Sequence, residues 1–343
     1  AGNPHWKKRK APRGWVIKYL WEYVLGHGQE LASDTYFSSF ISNGISAEIC
    51  FVVFTLFTVG IIYAGVRNGI ERVSKFMMPI LVILSVIIAI YSVTRPGALA
   101  GVKYFLVPNP ANFSWMTVVS AMGQMFYSLS IAMGILVTFG SYMKKEMSIE
   151  DSTRNVEVFD TAIAIMAGLM IIPAVFAFSG GDPDTLQAGP SLMFITIPKV
   201  FANMDFGTVV GILFFLLVLF AAVTSSIALT ESAVSTFEDE LHWSRKKATL
   251  FMAVIMLLLG SLSCLGYGPL SNVKIIGMQF LDFFDFLTNS VMMPIAALAT
   301  CLLISRVAGV DKIEEEVTQN GQPFRRRKIF RFMLRYLCPI FAV

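Results

Sequence analysis

Two clusters of hydroxyl-bearing residues sit inside stretches that are otherwise apolar enough for a membrane. Ser128 and Ser130 lie near the middle of residues 120–142, with Gly134 close by and Gln124 one turn ahead. Thr224, Ser225 and Ser226 occupy the middle of residues 206–234. Hydroxyls and free backbone carbonyls are the donors a dehydrated hard cation such as sodium requires. A backbone that opens at the first cluster exposes carbonyls and amides with no lipid partner. It survives only against protein or a watered cavity, where those groups can hold an ion or a polar substrate. Two plainer explanations compete. Small residues also let continuous helices pack closely, and serine or threonine commonly bonds back to the carbonyl of the preceding turn.

Four carboxylates fall in or near the same apolar stretches: Asp160, Glu231, Asp282 and Asp285. Each costs a few kcal/mol unless partnered. Asp282 and Asp285 sit at a helix start, where solvation and the helix dipole already favour negative charge. Asp160 and Glu231 have no basic neighbour on their own helices, which points to an ion pathway or a bound cation. Cys50, Cys264, Cys301 and Cys338 lie in apolar runs without a CxxC pair and read as inert thiols. His5, His27 and His242 are scattered outside the spans, giving little support for a histidine metal site.

The elements that must position these residues are membrane helices. Hydrophobic residues make up 55% of the 343, against 15% charged, and several stretches reach the roughly 20 apolar residues a span needs. Complete spans are predicted at 48–66, 77–93, 120–142, 159–179, 206–234, 248–266 and 280–305, seven in all, with half spans at 14–26 and 332–343. The link at 180–205 is too broken for a span and too apolar for a free linker, so it reads as a hairpin or cap lying on the protein. Residues 1–13 form a basic head without an apolar core and are not a signal peptide. Residues 14–343 then make a single transmembrane domain. One set of loops holds fifteen lysines and arginines, among them Arg67, Lys144, Arg245 and Arg326. The alternate set holds four: Arg95, Lys103, Lys199 and Lys274. The basic loops are therefore expected in the cytoplasm of a multi-pass cell (inner) membrane protein. With the basic residues flanking a membrane, the net charge of +4 calls for no nucleic acid. A phosphate loop, a zinc-protease helix and a nucleophile elbow are all missing, so no enzyme is expected.

Five segments together carry a resemblance: Asn-Gly-Ile-Glu-Arg at 68–72, Gly-Gln-Met-Phe-Tyr-Ser-Leu-Ser at 123–130, Ala-Gly-Pro-Ser-Leu-Met-Phe-Ile-Thr-Ile-Pro at 188–198, Thr-Ser-Ser-Ile-Ala at 224–228 and Glu-Asp-Glu-Leu at 238–241. In this order and spacing the chain, from about residue 14 onward, resembles bacterial neurotransmitter:sodium symporters, the group of the leucine transporter and the multi-hydrophobic amino acid transporter. The resemblance implies an all-α, LeuT-type fold of inverted repeats that works by alternating access. Substrate and two sodium ions would sit at the unwound middle of helix 115–143, against helix 206–237. Tyr127 would be the aromatic lid, and Ser130, Met133, Ser225 and Leu229 would line the substrate pocket. Ser128 would be a ligand of one sodium ion; the carbonyl of Ala221 with the hydroxyls of Thr224 and Ser225 would hold the other. Asp285 resembles the outer-gate aspartate, and Tyr142 and Asp239 resemble inner-gate residues.

The departures shape what is expected. Asp160 stands where the family usually has an asparagine sodium ligand, and Ala164, one turn on, replaces the serine or carboxylate associated with chloride dependence. With Gln124 nearby, the Asp160 carboxylate would supply the negative charge, making transport sodium-coupled without chloride. Ala132 stands where a glycine is common, which would narrow the unwound segment. Met133 and Leu229 facing the ligand favour an apolar or aromatic amino acid. By the same resemblance the family's first two helices and half of its third are not represented, nor is the arginine partner of Asp285 or of Asp239. An incomplete symporter is thus expected, the alternative being a transport-incompetent membrane fragment that needs a complementing partner. The expected partners are a neutral amino acid, sodium and the bilayer, with a homo-oligomer left open.

Overall fold

A computed structural model describes residues 14–110, 113–181, 191–266 and 268–338. The basic head at 1–13, residues 182–190 of the broken link and the end at 339–343 lie outside this set. In hydrocarbon every backbone N–H and C=O must be paired within the chain, and a helix does this segment by segment. The described residues accordingly form helices, with one isolated bridge between Ile275 and Met278.

Leaving aside the short helices Gly28–Leu31, Tyr36–Ser42 and Ala98–Leu106, the first in chain order are α1 (Trp15–Val24), α2 (Gly44–Tyr63), α3 (Val66–Val93) and α4 (Trp115–Ser128). Next come α5 (Ile135–Ser141), α6 (Ile149–Ser179), α7 (Leu192–Ala202) and α8 (Gly207–Leu241). The last are α9 (Arg245–Leu265), α10 (Phe280–Ala308), α11 (Val310–Val317) and α12 (Arg327–Phe332). Six of these, α2, α3, α6, α8, α9 and α10, are long and apolar enough to cross a membrane. Of the seven expected spans, the remaining one is broken into α4 and α5.

The helices divide into two compact units, one within residues 1–111 and 163–283, the other within 112–162 and 284–343. The first unit holds a dense aromatic core. Trp15, Tyr19 and Tyr23 recur every four residues on one face of α1, and all are buried. Tyr23 stacks on Phe215 of α8 at 5.5 Å, over Gly211, where an added Cβ would lie 2.3 Å from the tyrosine ring. Tyr19 packs edge-on to Phe194 at 4.8 Å, and its hydroxyl donates to the Phe194 carbonyl at 2.9 Å. Segment 14–26, expected as half a span, forms the short helix α1, whose aromatic face pins the core. In the link's described part, expected as a hairpin or cap lying on the protein, α7 packs Phe194, Ile197 and Val200 into this core.

α2, α8 and α9 close around small residues and one arginine. An added Cβ at Gly260 of α9 would lie 2.1 Å from the Phe51 ring of α2. Beside that contact Ser261 donates to the Glu48 carboxylate. At the other end Arg245 donates through Nε to the Ile62 carbonyl at 3.1 Å and pairs with Glu231 of α8 at 2.6 Å. Glu231, expected to mark an ion pathway, is a fully buried carboxylate neutralised by the next helix. Its partner is fourteen residues away in sequence, so a search along its own helix misses it.

Candidate ion and substrate site

The second unit contains the break. Ser114 caps α4: its hydroxyl accepts from the Thr117 amide, and the Thr117 hydroxyl accepts from the Ser114 amide. Such a reciprocal cap satisfies two orphan donors and fixes where the helix starts. The regular ladder ends at Ser128 and resumes when the Thr138 amide donates to the Gly134 carbonyl at 2.9 Å. Between them Ser130, Ala132 and Gly134 take left-handed conformations, with φ of 54°, 63° and 76°. Only glycine adopts that region freely; each L-residue held there costs about 1–2 kcal/mol. The chain therefore opens at mid-span, and the continuous-helix alternative does not hold.

Asp160 on α6 meets this opening. The Ser128 hydroxyl donates to Asp160 Oδ1 at 2.6 Å, and Asp160 is half-buried. Ser128 and Asp160, separated by 32 residues, are thus brought together as two adjoining oxygen donors. Gln124 lies one turn before Ser128 on α4. Tyr127 is exposed, Ser130 and Met133 are half-buried, and Tyr142 follows α5 with its ring edge-on to Phe139 at 6.1 Å. Asp285 of α10 accepts a 2.6 Å bond from Asn289 one turn on.

In the first unit, α8 is continuous through the second hydroxyl cluster. Thr224 Oγ1 donates to the carbonyls of Phe220 at 3.0 Å and Ala221 at 3.1 Å. This is the back-bond that threonine makes in membrane helices, and it brings Thr224 Oγ1 beside the Ala221 carbonyl oxygen. Ser225 and Leu229 are exposed and lie one turn apart on one face of α8, while Ser226 is buried. Asp239 is exposed near the end of α8.

Sequence reasoning overlooked a third charged cluster. Glu314 of α11 is buried and pairs with Arg327 at 2.6 Å and with Arg331. Hydrogen bonding from Arg331, then from Arg327, outweighs burial and lowers the Glu314 pKa to about 2. Arg326 reaches Glu157 of α6 at 2.7 Å, and the Arg325 amide donates to Glu150 at 2.8 Å. Arg326, Arg327 and Arg331 of this segment, of which the first two were counted only as loop charge, each pair with a carboxylate. The only signal for the cluster was a matching run of acids at 311–316.

A chain with six helices apolar enough to cross a membrane, and a seventh span broken in its middle, is a polytopic membrane transporter rather than an enzyme. The chain belongs to the sodium:neurotransmitter symporter family, whose sequence model matches residues 30–343. It is 34% identical over 332 residues to YhdH, an uncharacterized sodium-dependent transporter of Bacillus subtilis, covering 95% of this chain and 72% of that protein. It is 32% identical to an uncharacterized sodium-dependent transporter of Haemophilus influenzae, covering 86% of this chain and 65% of the other. Among solved structures it resembles MhsT crystallised with L-phenylalanine, with a TM-score of 0.81 and 34% identity over 96% of this chain and 75% of that one. The fold is the all-α LeuT type.

Proposed function

We propose that the chain performs sodium-coupled symport of a neutral, hydrophobic or aromatic amino acid by alternating access. The observation that carries this reading is the opening at residues 129–134 with Ser128 and Asp160 in contact beside it. An opened membrane helix is tolerated where its polar groups serve a ligand, and a hydroxyl against a carboxylate suits a hard cation. In this reading Ser128 and Asp160 hold one sodium ion, and Ala221, Thr224 and Ser225 hold a second. Tyr127, Ser130, Met133, Ser225 and Leu229 receive the substrate, while Tyr142, Asp239 and Asp285 serve the gates. Asp160, with Gln124 nearby, supplies the negative charge, so chloride is not required. The family membership and the L-phenylalanine in the MhsT crystal support the amino acid class. The basic loops face the cytoplasm of a cell (inner) membrane, as the positive-inside rule directs.

Sodium-stimulated uptake of labelled L-leucine into proteoliposomes tests this function. Ser128→Ala should raise the half-saturating sodium concentration about tenfold, the equivalent of about 1.4 kcal/mol. Uptake indifferent to sodium in the unsubstituted chain would refute the proposal.

A further inference from the structure

The second unit contains a cavity of about 690 Å³ bounded by α5, the start of α6 and α11. Its volume is in the range of small-molecule sites. Phe139, Met143, Val156 and Val317 make its lining largely apolar, and Lys144, Lys145 and Glu316 also line it; of these, Lys144 and Glu316 are opposite charges with no ion pair to any described residue. The walls are held in place. Glu314, one turn behind Val317 on α11, is fastened to Arg327, and Arg326 is fastened to Glu157, next to Val156 on α6. The cavity also adjoins the opened helix: α5 leads out of the break, and Val156 stands one turn before Asp160 on α6.

From this geometry we infer a second, low-affinity site for the transported neutral amino acid on the face that carries the basic loops; the inference rests on the symport reading. Lys144 receives the carboxylate, Glu316 the ammonium group, and the apolar lining the side chain. A ligand with a charged side chain must desolvate that charge against the apolar wall, which disfavours acids and bases alike. The position, one turn along α6 from Asp160, makes it a resting place for substrate on the cytoplasmic side of the break.

The test uses the full chain with Ser152→Cys, a substitution in the cavity wall, and quantifies maleimide modification at residue 152 by mass spectrometry. L-Phenylalanine should slow modification about fivefold at a concentration roughly four times its Kd. The slowing should be equal in sodium and potassium, absent with L-glutamate or L-lysine, and lost on adding Lys144→Gln. Thr153→Cys, also in the wall, repeats the test should Ser152→Cys fold poorly. Sodium-dependent L-phenylalanine binding by the unsubstituted chain is measured in parallel. If that binding is present and residue 152 is unprotected, the second site is wrong and the symport reading stands. Protection by L-glutamate or L-lysine equal to that by L-phenylalanine also overturns the site. If sodium-dependent binding is absent, the symport reading fails, and the inference with it.

Discussion

Asp160 and Glu231 are both acids within apolar helices, and each is stabilised differently. Glu231 has a guanidinium at 2.6 Å and is fully buried, so its charge is matched for good. Asp160 has a serine hydroxyl at 2.6 Å, which donates to Oδ1 and leaves the second carboxyl oxygen out of that bond. Neither partner was visible along the acid's own helix, and the proposed function gives the cation to Asp160 because no guanidinium of the described residues meets it there. The proposal that Asp160 supplies the negative charge predicts a specific ion dependence. Replacing chloride by gluconate should leave sodium-driven uptake unchanged, whereas Asp160→Asn should lower uptake at least about tenfold in gluconate, about 1.4 kcal/mol of lost stabilisation. Loss of uptake by the unsubstituted chain in gluconate would sink the idea that Asp160 replaces chloride.

At the scale of elements, the spans and the broken helix were legible because they follow from hydropathy and from Ser128, Ser130 and Gly134 at mid-span. The location of strain was less so. Gly134 takes φ of 76° without a side-chain penalty, but Ser130 and Ala132 take similar angles with one. Ala132→Gly should therefore stabilise the chain by roughly 0.5–1 kcal/mol, seen as a higher thermal midpoint in detergent. A lower midpoint would mean that the Ala132 methyl packs usefully. What the sequence left open for residues 14–26 and the 191–202 part of the link was what they pack against. Their lengths ruled out spans, while their burial depends on tertiary partners, Phe215 and Phe194, that periodicity does not reveal. The α11 and α12 contact carries a pH prediction. The folded Glu314 pKa of about 2 lies below its ordinary 4.5, so the unfolded chain binds the proton more readily as pH falls. The ion pairs contribute fully at neutral pH, and their contribution falls away from about 4.5 down to about 2. The acid-induced drop in thermal midpoint across that window should be smaller in Glu314→Gln; an equal drop would show that Glu314 is not its source.

For the molecule as a whole, the family, the LeuT-type fold and the transporter class agree with the five motif segments and their order. Binding of labelled L-leucine and L-tryptophan to the purified chain, in sodium and in potassium, bears most directly on sodium-coupled recognition of a neutral amino acid. Saturable binding in sodium that disappears in potassium is the predicted result. Binding of equal strength in both salts, or in neither, would contradict it.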